Sequence, residues 1–120
     1  MLPTDSEKRK EIPLARGCLD YFPYALAAIA ELSYIANEKH NPGQPMHWSK
    51  EKSNDHADCV VRHLAERGKW DTVDGKPVRH SAQMAWRALA VLQTEIEDEK
   101  KPHTQEMYTV CKTGEAPEIS

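Results

Sequence analysis

The feature of this sequence that most constrains its fold is an apolar segment, residues 21–37, in which Glu31 is the only charged side chain. The segment is rich in alanine and leucine, which have high helix propensity, and Pro23 suits a first helical turn because the N–H it lacks would have no partner there. These features predict a helix over residues 24–38, ended by the Asn-Pro-Gly turn that follows. A helix that is apolar on nearly every side is usually buried, so we expect Glu31 to meet a cation in the folded protein.

A second helix is predicted over about residues 55–67. Ser53 or Asn54 can cap its first turn, and Gly68 suits the left-handed conformation that ends many helices. The segment between this helix and the next contains aspartate, glycine and proline, and we interpret it as a loop.

A third helix is predicted to begin near His80 or Ser81 and to end before Pro102. Its apolar residues recur at the spacing of an amphipathic helix: Met84, Ala85, Ala88, Leu89, Leu92 and Ile96. No segment carries a strand pattern of any weight, and no internal repeat is present. We therefore predict an all-α protein, a compact bundle of three to four helices.

The chain of 120 residues is long enough for one domain. Residues 1–12 are polar and aperiodic, which predicts a flexible arm, and residues 102–120 are interpreted as a polar C-terminal tail. The helical domain then spans residues 13–101. A chain of this size buries only about two-thirds of its unfolded surface, so we expect the bundle to be completed by oligomerisation.

Composition argues against several classes of protein. The net charge of −3 and the pI of about 6.1 are unlike those of a general nucleic-acid binder, which carries a basic excess. No apolar run approaches the roughly 18 residues of a membrane span, and no apolar core follows the charged N-terminus as it would in a signal peptide. The three cysteines are far apart and odd in number, which is typical of free thiols in the cytoplasm.

Two pairs of carboxylates form the candidate catalytic centre. Glu38 lies two helical turns after Glu31, and Asp58 lies one turn after Asp55 on the second helix. Antiparallel packing of these helices would bring all four side chains around one cleft. Mg²⁺ and Mn²⁺ prefer oxygen ligands, and two or more such ions neutralise a triphosphate and activate a water. We therefore predict these four residues as metal ligands, with Glu31, Glu38 and Asp58 acting in catalysis.

Each carboxylate also has a structural alternative. Glu31 could pair with a basic side chain of another helix, because intrahelical carboxylates are often simply ion-paired. Asp55 could interact with the helix dipole in the first turn, and Asp58 could pair with Arg62 one turn further on. The metal interpretation therefore depends on the four residues acting together.

Other polar and aromatic residues lie close to this predicted cleft. Four basic residues lie in or beside the loops that would rim it: Lys39, Arg62, Lys76 and Arg79. Trp48 could stack on a base, or it could close the core. Helical spacing also relates His56, Cys59 and His63, but a closed zinc site requires a fourth ligand and usually paired cysteines.

The carboxylate pairs resemble those of the MazG-like, all-α nucleoside triphosphate pyrophosphohydrolases, whose usual pattern is Glu-x-x-Glu followed by Glu-x-x-Asp. Here the second pair is Asp-His-Ala-Asp at residues 55–58. The first, Glu-Leu-Ser-Tyr at residues 31–34, lacks its second acid, for which Glu38 is the substitute. A closer resemblance is to the MazZ-like phage dATP/dGTP diphosphohydrolases, carried in the family's order by residues 38–41, 47–48, 58–64, 71–75 and 80–86.

This resemblance implies Mg²⁺- or Mn²⁺-dependent hydrolysis of dGTP or dATP to the monophosphate and pyrophosphate, which would shape a phage nucleotide pool. It also implies a homotetramer or dimer of dimers. The residues expected to bind substrate are Lys39, Trp48, Arg62, His63, Arg79 and His80. Either histidine could instead pack between helices. The alternative function is that of a non-catalytic helical interaction protein, such as a phage inhibitor of a host enzyme, which would leave the lone Glu31 unexplained.

Overall fold

A computed structural model describes residues 2–100 of the protein, most of which are helical. The helices are α1 (Ser6–Lys10), α2 (Pro23–His40), α3 (His56–Ala65) and α4 (His80–Lys100), and the strands are β1 (Trp70–Val73) and β2 (Lys76–Arg79). A π-helical turn, Ala15–Leu19, precedes α2, and a 3₁₀ turn, Lys50–Lys52, precedes α3.

Helix α2 confirms the predicted first helix and extends beyond it at both ends. Pro23 occupies its first position and the helix continues to His40. The buried side chain of Asn37 then ties the following loop to the helix. Its amide nitrogen donates to the carbonyl of Gln44 (3.0 Å), and its oxygen accepts from the backbone N–H of His47 (3.1 Å).

Helix α3 confirms the second predicted helix, but it is shorter and begins differently. Asp55 is its N-cap residue in place of Ser53 or Asn54, and its side chain makes no capping hydrogen bond to the backbone. The Ser53 hydroxyl donates to the Asp55 carboxylate instead, at 3.3 Å. Gly68 adopts a left-handed φ of 85° just beyond the helix, as its sequence position predicts.

A β-hairpin follows α3, so the prediction of a purely helical fold is wrong in this segment. Strands β1 and β2 pair antiparallel, with Trp70 opposite Arg79 and Asp71 opposite Val78. The connecting Asp74 and Gly75 have φ values of 51° and 77°. A two-residue hairpin turn of type I′ requires positive φ at both positions, and Asp-Gly is a preferred sequence for it. The strands escape prediction because each has four residues, too few to show a clear alternation.

Helix α4 organises the rest of the fold, and it begins at His80 as predicted. Helix α3 packs along it, while α2 and β2 contact it elsewhere. The main buried cluster combines residues of α2, β2 and α4: Leu32, Ile35, Val78 and Ala82. Trp86 packs against this cluster, and its indole N–H donates to the Ser33 hydroxyl at 2.8 Å.

The N-terminal arm, which the sequence predicts to be flexible, contains the short helix α1. The Asp5 side chain caps this helix by accepting from the backbone N–H of Glu7 at 3.2 Å. Helix α1 buries none of its residues, so local interactions hold it. The predicted C-terminal tail, residues 102–120, lies outside the described residues.

A single chain leaves much apolar surface exposed. Tyr24 on α2 is 89% exposed, and α4 exposes Leu89, Leu92 and Ile96. The expectation that α2 is buried around Glu31 is therefore wrong within one chain, because Glu31 itself is exposed. Within residues 2–100, the helices fall short of the length and apolar character needed to cross a bilayer.

Candidate functional site

The structure brings two predicted site residues, Glu31 and Arg79, to one groove of about 130 Å³. The groove lies where α2, the hairpin and the start of α4 meet. Its walls are formed by Ala28, Glu31, Leu32, Trp70, Pro77, Val78, Arg79 and Ala82. The floor belongs to the buried core, since Leu32, Val78 and Ala82 are members of both. The polar side chains of the groove therefore project from segments whose neighbouring residues belong to the core.

Hairpin pairing fixes the position of Arg79. It lies directly across from Trp70 in the strand register, and its guanidinium carbon is 4.4 Å from the centre of the indole ring. A guanidinium over an indole face is stabilised by a cation–π interaction while its N–H groups stay available. Trp70 is exposed as well as paired. The groove therefore joins a carboxylate, a permanent positive charge and an accessible aromatic ring.

The other predicted carboxylates do not join Glu31 within one chain. Glu38 is half-buried further along α2, while Asp58 is exposed on α3. Asp55 lies 3.6 Å from the guanidinium of Arg87, which belongs to α4. The predicted antiparallel packing of α2 on α3 is replaced by packing of each helix on α4. No three of these four residues have ligand oxygens within 4.8 Å of one another, so the predicted four-carboxylate cleft is not formed in one protomer.

A different cluster, His63, Asp71 and His80, does converge. In residues 2–100 it is the one group of three histidine, cysteine or acidic side chains whose ligand atoms lie within 4.8 Å of one another. His63 comes from the last turn of α3, Asp71 from β1 and His80 from the start of α4. The two imidazole Nδ1 atoms are 2.9 Å apart, so one of them donates to the other.

The charge states of this cluster follow from its surroundings. Burial lowers the pKa of His63, which is only 3% exposed, and its electrostatic interactions with Arg62 and then His80 lower it further. Two hydrogen bonds lower the pKa of Asp71. The larger effect comes from the Gln83 side chain and the smaller from the backbone N–H of Thr72, both of which donate to the carboxylate. At neutral pH the site therefore presents a neutral His63 imidazole beside an Asp71 carboxylate.

Three further predicted substrate-binding residues lie away from the groove. Trp48 is half-buried and packs edge-on against Trp86, with ring centres 5.2 Å apart. This matches the alternative in which Trp48 closes the core. Arg62 donates to the Cys59 sulfur at 3.4 Å. Lys39 is exposed near the end of α2.

The zinc alternative based on helical spacing along α3 is wrong, because its three residues do not come together. His56, Cys59 and His63 do not form a common ligand group in the described part of the chain. His56 instead contacts Arg87 through its Nδ1 at 3.0 Å. A wider groove of about 310 Å³ adjoins His56 between α3 and α4, and it contains none of the predicted site residues.

Sequence reasoning missed Asp71, Trp70 and Gln83. The signal that could have found them is the Asp74-Gly75 turn, because a hairpin centred there places residues 70 and 71 directly across from residues 79 and 78. The sequence predicts His63 and His80 as site residues. The carboxylate that joins them, Asp71, comes from the hairpin, which the sequence did not predict.

Comparison of the chain with protein-family models, with curated proteins and with solved structures gives no match. The resemblance to the MazG-like pyrophosphohydrolases therefore rests on the residues quoted for it, and it stays a prediction.

Proposed function

We propose that the protein hydrolyses purine deoxynucleoside triphosphates to the monophosphate and pyrophosphate, and that the groove between Glu31 and Arg79 holds the triphosphate. The observation that supports this is the presence of a carboxylate, a guanidinium and an exposed indole in one groove. These groups can accept a proton, bind phosphate oxygens and stack on a base. The resemblance to the MazG-like pyrophosphohydrolases supplies the choice of substrate and of scissile bond.

The three groups have distinct roles in this proposal. Arg79 donates hydrogen bonds to phosphate oxygens, and its planar guanidinium can contact two of them at once. Trp70 provides an exposed face for the base. Glu31 accepts a proton from the attacking water, a role that a positioned carboxylate can perform.

The expected cofactor is Mg²⁺ or Mn²⁺, and Glu31 is the carboxylate of the groove that would hold it. When bound, such a cation offsets phosphate charge and lowers the pKa of a coordinated water. The four predicted ligands do not converge in one protomer, and Asp55 is already paired with Arg87. They therefore do not form a complete metal site in a single chain.

Oligomerisation is part of the proposal because the site is incomplete in one chain. The exposed apolar side chains of α2 and α4 are suited to packing against further copies. A neighbouring copy would also add carboxylates to the groove. We propose a tetramer or dimer of dimers, acting in the cytoplasm, which is the host cytoplasm if the protein is encoded by a phage.

Metal removal tests this function. Hydrolysis of dGTP should stop in EDTA and return when Mg²⁺ or Mn²⁺ is added in excess. Arg79→Gln should raise KM for the nucleotide because a phosphate contact is lost, whereas Arg67→Gln, at an exposed position outside the groove, should not. Full activity in EDTA, or the same KM in the Arg79 variant, would contradict the proposal.

The exposed apolar faces also favour a second candidate, a non-catalytic protein that binds a partner. The two are separated by a thermal shift measured with Mn²⁺ and dGTP together. A ligand that binds only the native state raises stability by mass action. An enzyme for this nucleotide should show the shift, and an interaction protein should not.

A further inference from the structure

The cluster of His63, Asp71 and His80 lies outside the groove and has no role in the proposed hydrolysis. Its members come from three successive elements, α3, β1 and α4. Their ligand atoms nevertheless lie within 4.8 Å of one another. Two imidazoles and one carboxylate form a donor set found in divalent transition-metal centres.

The spacing of the two imidazoles suits a shared metal ion. Metal–nitrogen distances are about 2.0–2.1 Å for an ion such as Zn²⁺. Two nitrogens 2.9 Å apart would then subtend an angle of about 90° at the ion, and a modest opening to about 3.3 Å gives the tetrahedral angle. Without metal, a proton occupies the line between the two Nδ1 atoms. Metal binding at both Nδ1 atoms would displace that proton, which the donor imidazole can carry on its Nε2 instead.

The carboxylate is held in place before any ion arrives. One Asp71 oxygen accepts from the Gln83 amide at 2.9 Å, and the other accepts from the backbone N–H of Thr72 at 2.8 Å. Such bonds to a ligating carboxylate orient it and strengthen metal sites. His63 is buried while Asp71 and His80 are half-buried. The cluster therefore has an inner wall and an open side through which an ion and water can enter.

We propose that His63, Asp71 and His80 bind one divalent transition-metal ion of the Zn²⁺ type, which fastens the hairpin to α3 and α4. Imidazole nitrogen selects such ions over Mg²⁺, which prefers oxygen. The site is thus distinct from the oxygen-ligated centre of the proposed hydrolase. Its ligands Asp71 and His80 are the chain neighbours of Trp70 and Arg79. Metal binding would therefore steady the backbone that carries the groove, whatever the groove binds.

Cobalt binding to the free protein tests this site directly, since Co²⁺ takes the place of Zn²⁺ and absorbs visible light. The protein is first stripped with a chelator and then titrated with Co²⁺ in excess Mg²⁺ without nucleotide. We expect one Co²⁺ per chain, displacement by one Zn²⁺, and a rise in the melting temperature. A wild-type protein that binds neither ion stoichiometrically would overturn the proposal, and the cluster would then be a hydrogen-bonded contact only.

Variants assign the ligands. Asp71→Asn and His80→Asn should each weaken Co²⁺ binding by more than about 10-fold, and Gln83→Ala should weaken it by about 10-fold through its loss of support for Asp71. His40→Asn, at an exposed histidine outside the cluster, is the matched control and should bind as the wild type does. Circular dichroism identifies variants that fail to fold, and Co²⁺ affinities are compared only among the variants that fold. Wild-type affinity in any folded ligand variant would contradict the assignment.

Discussion

Glu31 is exposed on a helix whose buried residues are Leu32, Ile35 and Asn37, so its charge can be removed without leaving a partner unpaired in the core. We predict that Glu31→Gln lowers kcat for dGTP by about 10²-fold or more, the usual contribution of a positioned proton acceptor. Its free energy of unfolding should change by less than about 0.5 kcal/mol, as for most surface substitutions.

The matched control is Glu51→Gln, at an exposed glutamate on the 3₁₀ turn, which should leave turnover unchanged. Steady-state kinetics and urea unfolding measure the two quantities separately. A Glu31 variant that melts early yet turns over normally would show that this residue is structural.

His63 makes stability depend on pH. Burial holds its pKa below the ordinary value of 6.5, so the unfolded chain binds a proton that the folded chain rejects. The free energy of unfolding should therefore be greatest above pH 6.5 and should fall as the pH drops from there through the lowered pKa. The pKa of His56 is also lowered, chiefly by burial, which adds in the same direction.

Urea unfolding in EDTA at a series of pH values measures this dependence. His63→Asn should flatten the profile, while His40→Asn should keep the wild-type slope. A wild-type protein that becomes more stable on acidification from pH 7 would contradict a neutral, buried His63.

The hairpin is the element that assembles both candidate sites, and its turn depends on Gly75. This residue has a φ of 77°, where an L side chain is strained, although no atom would obstruct an added Cβ. Gly75→Ala should cost about 1 kcal/mol of stability. It should also weaken Co²⁺ binding and raise KM for dGTP, because Asp71 and Arg79 move with the strands.

Gly43 provides the control, since it has a φ of 76° and equal space but lies in the loop after α2. Gly43→Ala should lose similar stability and keep both binding properties. Equal losses of binding in the two variants would show that the hairpin has no special role.

The three long helices, α2, α3 and α4, were predictable because their signals are local. An alanine-rich segment, Pro23 at its start and a periodic apolar stripe before Pro102 each act within a few turns of the chain. The hairpin was missed because its two short strands together contain a single buried residue, Val78. The arrangement of the carboxylates was not predictable, since it depends on which helices become neighbours. The sequence predicted that α2 and α3 pack against each other, whereas in the structure each of them packs against α4.

Within residues 2–100, the buried core is too small to cover all the large apolar side chains. Leu89, Leu92 and Ile96 form an exposed row along α4, at 48%, 52% and 41% exposure. A surface of this kind is expected to be covered by another protein chain. Sedimentation should therefore give a species several times heavier than the 13.6 kDa chain.

Leu92→Glu should dissociate this assembly, because it places a charge in the apolar contact. Gln44→Glu adds the same charge at an exposed position in the loop after α2, away from this row, and should leave the assembly intact. A wild-type chain that is monomeric at all concentrations would contradict the proposed completion of the site by neighbouring copies.

The identity of the products tests the proposed function most directly. Digests of dGTP, dATP, dCTP and dTTP with Mn²⁺ are resolved by chromatography, with pyrophosphate and orthophosphate measured separately. Hydrogen bonds to the base edge can reject analogues by large factors, whereas stacking on an indole discriminates only modestly. We predict dGMP or dAMP together with pyrophosphate, formed well ahead of the pyrimidine products. Orthophosphate with a nucleoside diphosphate, or dCTP turned over as fast as dGTP, would contradict the proposed function.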